Sequence, residues 1–238
     1  MSSMTPATRA SKMRRSTVAD QIKELILTNG LRPGDALPTE AELCATLDVS
    51  RSSVREAIRT LSTLDIVDVR HGHGTFVGPM SLTPMVEVLV FRGVLSPGDS
   101  LKALREVVEI RQALDLAMAD AVVAALTGAA TPELDALVAE MEQRASEGLT
   151  FLDADRAFHT MLLEHIDNSL AGQLVAAFWD VHSAVIPQLE LAMPADIEQT
   201  ARAHGDMLTA ARDGDIAAYR DAVIQHYEPL RRTLDSRV

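Results

Sequence analysis

From Thr17 to Asn29 the apolar residues Val18, Ile22, Leu25 and Ile26 recur at the spacing of one helix face, and Gly30 follows as a stop. A turn-rich connector, Leu31-Arg32-Pro33-Gly34-Asp35-Ala36-Leu37-Pro38, comes next. Thr39 with Glu42 is a capping-box pair, which predicts a short helix to about Leu47. Asp48-Val49-Ser50 is a tight connection, and Ser50 is placed to cap a third helix from about Arg51 to Leu64. Val54, Ala57, Ile58 and Leu61 form its apolar stripe. Two short helices so closely joined make a helix-turn-helix. Ile66-Val67-Asp68-Val69 then reads as a strand, His71-Gly72-His73-Gly74 as a turn and Thr75-Phe76-Val77 as the returning strand, a wing beside the helix pair.

After Gly78-Pro79-Met80-Ser81, a linker-like stretch, the period becomes helical with almost no strand signal. The expected helices are 83–95, 100–127, 131–147, 150–167, 169–192, 195–213 and 215–235. Thr131-Pro132-Glu133 reads as a helix start with Thr131 as cap. Gly128, Gly148 and Gly214 mark stops, and Pro187 is expected to kink the helix it interrupts. The predicted class is mainly α: a winged helix-turn-helix followed by an all-α bundle of about seven helices. The expected organisation is a disordered basic tail over 1–14, a winged domain over 15–78, a linker over 79–84 and a helical domain over 85–238.

Polar residues that fall on apolar stripes change the picture. The stripe of helix 150–167 runs Phe151, Asp155, Phe158/His159, Leu162, Ile166, with Asp155 and His159 four apart on one face. Helix 195–213 carries His204 at the centre of its stripe, and helix 215–235 carries His226 beside Tyr227. A buried carboxylate needs a partner. One Asp and three His suit a divalent transition metal, although a lone core histidine is more often simply hydrogen-bonded. Spacing alone does not bring His204 and His226 to the first pair. In helix 100–127, Arg111 and Asp115 sit mid-stripe, four apart. They read either as a buried ion pair or as an inward-facing arginine for an anion, with Asp115 beside it. His165 and His182 show no partner and read as ordinary surface or core histidines.

Composition enters with a contradiction. The chain has 238 residues, 47% of them apolar, a formal net charge of −12 and one cysteine. The apolar fraction excludes a disordered chain, and a lone Cys44 allows no internal disulfide, which points to a reducing, cytoplasmic setting. No apolar run reaches the roughly 20 residues of a membrane span, and no apolar segment follows the basic start as in a secretory signal. A net acidity would argue against nucleic acid. Split at Gly78-Pro79, however, residues 1–79 hold ten Lys/Arg against nine Asp/Glu, while residues 80–238 hold twelve against 25. Arg51, Ser52, Ser53, Arg55 and Arg59 gather on the third helix, where arginines reach phosphates or guanine edges. A merely solvated face with Arg55 beside Glu56 is the plainer alternative.

Pro33-Gly34, Leu37-Pro38-Thr39-Glu40, Val49-Ser50-Arg51, Val54-Arg55-Glu56-Ala57 and Gly72-x-Gly74-Thr75-Phe76-Val77 resemble the winged helix-turn-helix of the GntR family of bacterial transcription regulators. The resemblance implies that Arg51, Ser52 and Arg55 contact operator DNA and that His71 and Gly72 reach the minor groove from the wing. Ala41 departs from a position often basic in the family. Asp48 and Asp65 stand where glycine is usual, at sites expected to need a left-handed backbone. Farther on, Glu109-x-Arg111, Leu114-Asp115, Asp155-x-x-Phe158-His159, Asn168, His204 and His226 resemble the FCD ligand-binding domain of the FadR subfamily. That resemblance implies a divalent ion (zinc, with nickel or manganese as alternatives) held by Asp155, His159, His204 and His226, and an effector carboxylate bound by Arg111. Asp115 stands where the family usually has Glu. The expected function is a ligand-responsive regulator, a repressor acting as a homodimer on double-stranded pseudo-palindromic operator DNA, controlled by a small carboxylic acid, with no membrane and no catalysis. The alternatives are a metal-dependent enzyme, with Glu164 or Asp206 as general base, and a helical dimer with a purely structural metal.

Overall fold

The computed structural model of the chain describes residues 16–95, 100–185 and 196–235. The expected tail over 1–14 and the expected kink at Pro187 lie outside these residues. Two compact units divide between Ser81 and Leu82.

The first unit is built on three capped helices, α1 (Val18–Thr28), α2 (Glu40–Leu47) and α3 (Arg51–Thr63). Thr17 and Asp20 form a capping box on α1, Thr39 and Glu42 form one on α2, and the Ser50 hydroxyl accepts from the Ser53 amide on α3. These side chains occupy amides that would otherwise have no partner in the first turn. The helices bury Ile22, Ile26, Leu43, Val54, Ile58 and Leu61 against Val67 and Val77 of an antiparallel hairpin, β1 (Val67–Arg70) and β2 (Gly74–Val77). Asp48 and Asp65 adopt φ of 51° and 58°, the left-handed conformation that their positions call for.

The segment after β2 folds back on the end of α3. The Gly78 amide donates to the Ile66 carbonyl and the Met80 amide to the Asp65 carbonyl, both at 2.9 Å. The Ser81 hydroxyl donates to the Asp65 carboxylate. A Cβ built on Gly78 would overlap the backbone oxygen of Asp65.

The second unit is helical throughout its described residues: α4 (Thr83–Leu95), α5 (Ser100–Leu126), α6 (Pro132–Ser146), α7 (Leu152–Glu164), α8 (Ser169–Val185), α9 (Ile197–Asp213) and α10 (Ile216–Asp235). Helix α10 packs on α9 and α5, α7 on α6 and α8, and α4 on α8 and α5. One apolar core runs through them, with Leu104, Val108, Val122, Phe158, Met207 and Val223 fully enclosed. The α6 start departs from expectation, because Thr131 makes no side-chain cap. Its hydroxyl accepts instead from Arg212 Nη2 at 2.6 Å, and both guanidinium nitrogens reach Asp135, at 2.8 and 2.7 Å. A charged bidentate donor from α9 outcompetes a single backbone amide for that oxygen. No helix among the described residues is long and apolar enough to cross a membrane.

Gly78→Ala is expected to destabilise the first unit by roughly 1–3 kcal/mol, because the added methyl forces the backbone away from Asp65. Faster amide hydrogen exchange across α3 and β1 of the full chain would register this, and unchanged exchange would contradict it.

Candidate metal centre and nucleic-acid face

The outer side of α3 presents Arg51, Ser52, Arg55 and Arg59 to solvent, with Ser53 half-buried. The hydroxyls of Ser52 and Ser53 lie 2.8 and 2.9 Å from the Ser50 hydroxyl, so the cap gathers three hydroxyls at the positive end of the helix. Arg55 does not pair with Glu56. Adjacent helix residues point about 100° apart and do not face each other. Its Nε donates instead to Glu40 Oε2 on α2, at 2.9 Å. With both groups exposed, this pair is worth at most about 1 kcal/mol and yields readily to a phosphate. His71 and Gly72 lie exposed at the hairpin tip, where Gly72 takes φ 76°. Beside them Arg70, which the pattern reading passed over, pairs with Asp68 at 2.8 Å and lies over the Phe76 ring.

In the second unit Asp155 and His159 on α7, His204 on α9 and His226 on α10 are all buried, and one potential ligand atom from each lies within 4.8 Å of the others. Their hydrogen bonds determine which atoms face inward. His204 Nδ1 is 2.8 Å from the Thr200 carbonyl. A carbonyl only accepts, so that nitrogen carries a proton and Nε2 is the atom turned to the cluster. This Nε2 lies 3.0 Å from Asp155 Oδ1. His159 Nδ1 is 3.3 Å from Asp115 Oδ2 on α5, while its Nε2 is 3.2 Å from His226 Nε2 and 3.3 Å from Asp155 Oδ1. His159 Nε2, His204 Nε2, His226 Nε2 and Asp155 Oδ1 converge in a dry interior, where either a proton shared among them or a cation satisfies the arrangement.

The electrostatics follow the same contacts. Burial opposes charge on His159, but Asp115 and Asp155 outweigh it and raise its pKa to about 9, so a proton and a divalent cation compete for its inner nitrogen. Burial opposes charge on Asp155 as well, yet His204 and His159 hold it well below the usual carboxylate range. Burial, then the neighbouring His204, pushes His226 well below the ordinary imidazole value, so it stays neutral. Phe158 and Phe151 pack perpendicular to His204, with centroids at 5.0 and 6.1 Å, and keep the cluster apolar on that side. Asp155, His159, His204 and His226 therefore fit a divalent ion in ligand chemistry, burial and convergence.

Arg111 and Asp115 do not form the ion pair that their spacing offers. Asp115 Oδ2 accepts from the Tyr227 hydroxyl at 2.7 Å and faces His159, so Asp115 braces the cluster from behind. Arg111, 1% exposed, lies over the Trp179 ring at 3.8 Å and places Nη1 2.7 Å from His182 Nδ1. The pattern reading of His182 as partnerless is thus corrected. Its partner sits 71 residues away, and no local spacing signals it. Burial and then Arg111 push His182 down to about 3. His165 is exposed and bonds the Met161 carbonyl at 2.8 Å. Asn168 accepts from the Ala171 amide at the start of α8. Glu164 and Asp206 are exposed, outside the buried cluster.

Two families match the chain. Residues 14–77 match the bacterial regulatory proteins of the gntR family, and residues 106–229 match the FCD domain. The galactonate operon transcriptional repressor of Escherichia coli is 27% identical over 187 residues, 78% of this chain and 82% of that protein. The uncharacterised HTH-type transcriptional regulator YcbG of Bacillus subtilis is 30% identical over 183 residues, 74% of each chain. Among solved structures, Streptococcus agalactiae GntR superposes with a TM-score of 0.65 at 28% identity, covering 90% of this chain and 97% of that one.

Asp115→Asn is expected to weaken zinc binding about 10–100-fold, since it removes the charged acceptor that orients His159. Competition against a chromogenic chelator measures this, with circular dichroism to show retained helicity. Unchanged affinity would remove Asp115 from the centre.

Proposed function

The chain belongs to the gntR family of bacterial regulatory proteins and carries an FCD domain, so it is a transcription regulator rather than an enzyme; we propose that it is a repressor that binds a pseudo-palindromic operator as a homodimer and responds to a small carboxylic acid at a metal centre. The observation that carries the effector half is the inward convergence of potential ligand atoms from Asp155, His159, His204 and His226, with buried Arg111 linked to them through Tyr227 and Asp115. A divalent ion held by those four residues supplies positive charge that attracts an anionic oxygen. Arg111 adds a planar donor suited to carboxylate. Trp179 holds the guanidinium plane from one face, and His182 anchors its Nη1. A relative named for the galactonate operon, whose sugar is itself a carboxylate, supports an acid of this size.

For the operator half, exposed Arg51, Ser52, Arg55 and Arg59 on α3 support a helix read into the major groove, Ser53 supports phosphate contact at its start, and His71 and Gly72 support a wing in the minor groove. Val88 and Phe91 on α4 and Ile110 on α5 are large apolar side chains 67%, 66% and 50% exposed, which supports burial against a second copy. The acid acts on operator affinity only if it binds the DNA-free and DNA-bound forms unequally. The charge division supports low nonspecific affinity, because a segment of net −13 repels DNA while the arginines gather on one helix.

Arg55→Ala is expected to weaken binding to a duplex selected from a random pool by the unaltered protein about 5- to 150-fold, or roughly 1–3 kcal/mol, with metal content unchanged. Electrophoretic mobility shifts read this, and equal affinity would remove α3 from the operator. A thermal-shift screen of small carboxylates is expected to yield a stabilising acid whose effect disappears with a chelator. Stabilisation that survives chelation would place the acid away from the metal.

A further inference from the structure

Asp115 is buried between two groups that could claim its carboxylate. Arg111 stands one turn earlier on α5, at the spacing of an ion pair, and His159 faces it from α7. The carboxylate serves the histidine, with Oδ2 3.3 Å from His159 Nδ1. Local spacing favours the arginine, so a further contact must decide. The Tyr227 hydroxyl, on α10, donates to the same Oδ2 at 2.7 Å. A carboxylate oxygen accepts at two lone pairs, so one holds the hydroxyl and the other is left for the imidazole N–H. A swing of Asp115 toward Arg111 would strip a buried hydroxyl of its acceptor. Tyr227 itself is 2% exposed, with its ring 4.6 Å from that of His226 and 6.5 Å from that of His159. A ring so enclosed has little freedom to aim its hydroxyl elsewhere. Phenylalanine would fill the same volume, and the hydroxyl adds only the bond to Asp115. His226 and Tyr227 are consecutive on α10 and point about 100° apart, so one helix brings a potential ligand and the donor that steadies the brace of another.

We propose that Tyr227 is a positioning residue of the metal centre: its hydroxyl holds Asp115 on His159, and the held carboxylate keeps His159 Nε2 turned to the ion. This rests on the proposed centre of Asp155, His159, His204 and His226. Tyr227 touches no ion itself and acts through Asp115, which orients the ligand by taking its outer N–H.

Two measurements on the full chain test the proposal: zinc affinity by chelator competition, and solvent exchange of the imidazole Nδ1–H groups by nitrogen-15 NMR of the zinc-loaded protein. His204 is an internal control, because its Nδ1–H bonds the Thr200 carbonyl and owes nothing to Tyr227. Tyr227→Phe is expected to weaken zinc binding about threefold or more, a smaller loss than removal of the group that bonds the ligand directly. It is also expected to speed exchange at His159 Nδ1–H while exchange at His204 holds. In an Asp115→Asn background the same change is expected to cost less than about twofold, because the hydroxyl acts only through the carboxylate. Unchanged zinc affinity or unchanged His159 exchange in Tyr227→Phe overturns the role of Tyr227 and leaves the centre standing. An equal loss in the Asp115→Asn background overturns it too, as does faster exchange at both histidines, since each marks a general loosening of the core. Should the unaltered chain bind no zinc, the metal centre itself fails, and with it the inference. Should Tyr227→Phe lose its helical circular dichroism, 3-fluorotyrosine at residue 227 decides. Its more acidic hydroxyl is expected to shift the His159 Nδ1–H resonance and not that of His204, and an unmoved His159 resonance overturns the proposal.

Discussion

A cluster of imidazoles and a carboxylate inside an apolar core must share a proton or a cation, and the second unit is organised around such a place. The outer nitrogen of His204 is committed to a backbone carbonyl and that of His159 to Asp115. Their inner nitrogens are therefore turned toward Asp155 and His226. A low-dielectric interior magnifies both the repulsion of such an arrangement and the attraction of a cation placed within it. Each outer hydrogen bond fixes a ring, and Phe158, Met207 and Val223 of the surrounding core enclose α7, α9 and α10 around these four side chains.

Helix α5 carries the two neighbours that give this centre its surroundings, and it separates them. Asp115 turns toward His159 and Tyr227, while Arg111, one turn earlier, turns toward Trp179 and His182. An isolated helix would pair them with each other for a few tenths of a kcal/mol. Burial changes the balance, because each charge then has stronger partners on other helices. Tyr227 links the two systems: its hydroxyl bonds Asp115, and its ring lies 5.5 Å from the Arg111 guanidinium.

The first unit obeys a different constraint, since its functional groups must stay wet. Its stripe of Val54, Ala57, Ile58 and Leu61 anchors α3, and that anchoring leaves the arginines outward. Most of this was legible locally. Capping boxes at Thr39 and Glu42, the Ser50 cap and the left-handed Asp48 and Asp65 each involve residues at most a few positions apart, so sequence spacing is spatial spacing. The same logic failed where a distant group intervened. Thr131 had the local signature of a cap, and Arg212 took its hydroxyl from 81 residues away. Glu40 displaced Glu56 as the partner of Arg55 in the same way.

The candidate centre divides along that line. The 3.6-residue repeat is a property of one helix, so the chain by itself determined that Arg111, Asp115, Asp155, His159, His204 and His226 face inward. Its charge asymmetry likewise marked the first 79 residues as the part suited to a polyanion. Which inward groups meet is a matter of how helices pack, and no periodicity encodes it. Only the tertiary structure brought His204 and His226 to Asp155, turned Asp115 from Arg111 to His159, and placed His182 against the guanidinium. In a core a buried polar atom takes the donor or acceptor that packing brings to it, and the distance along the chain carries no weight.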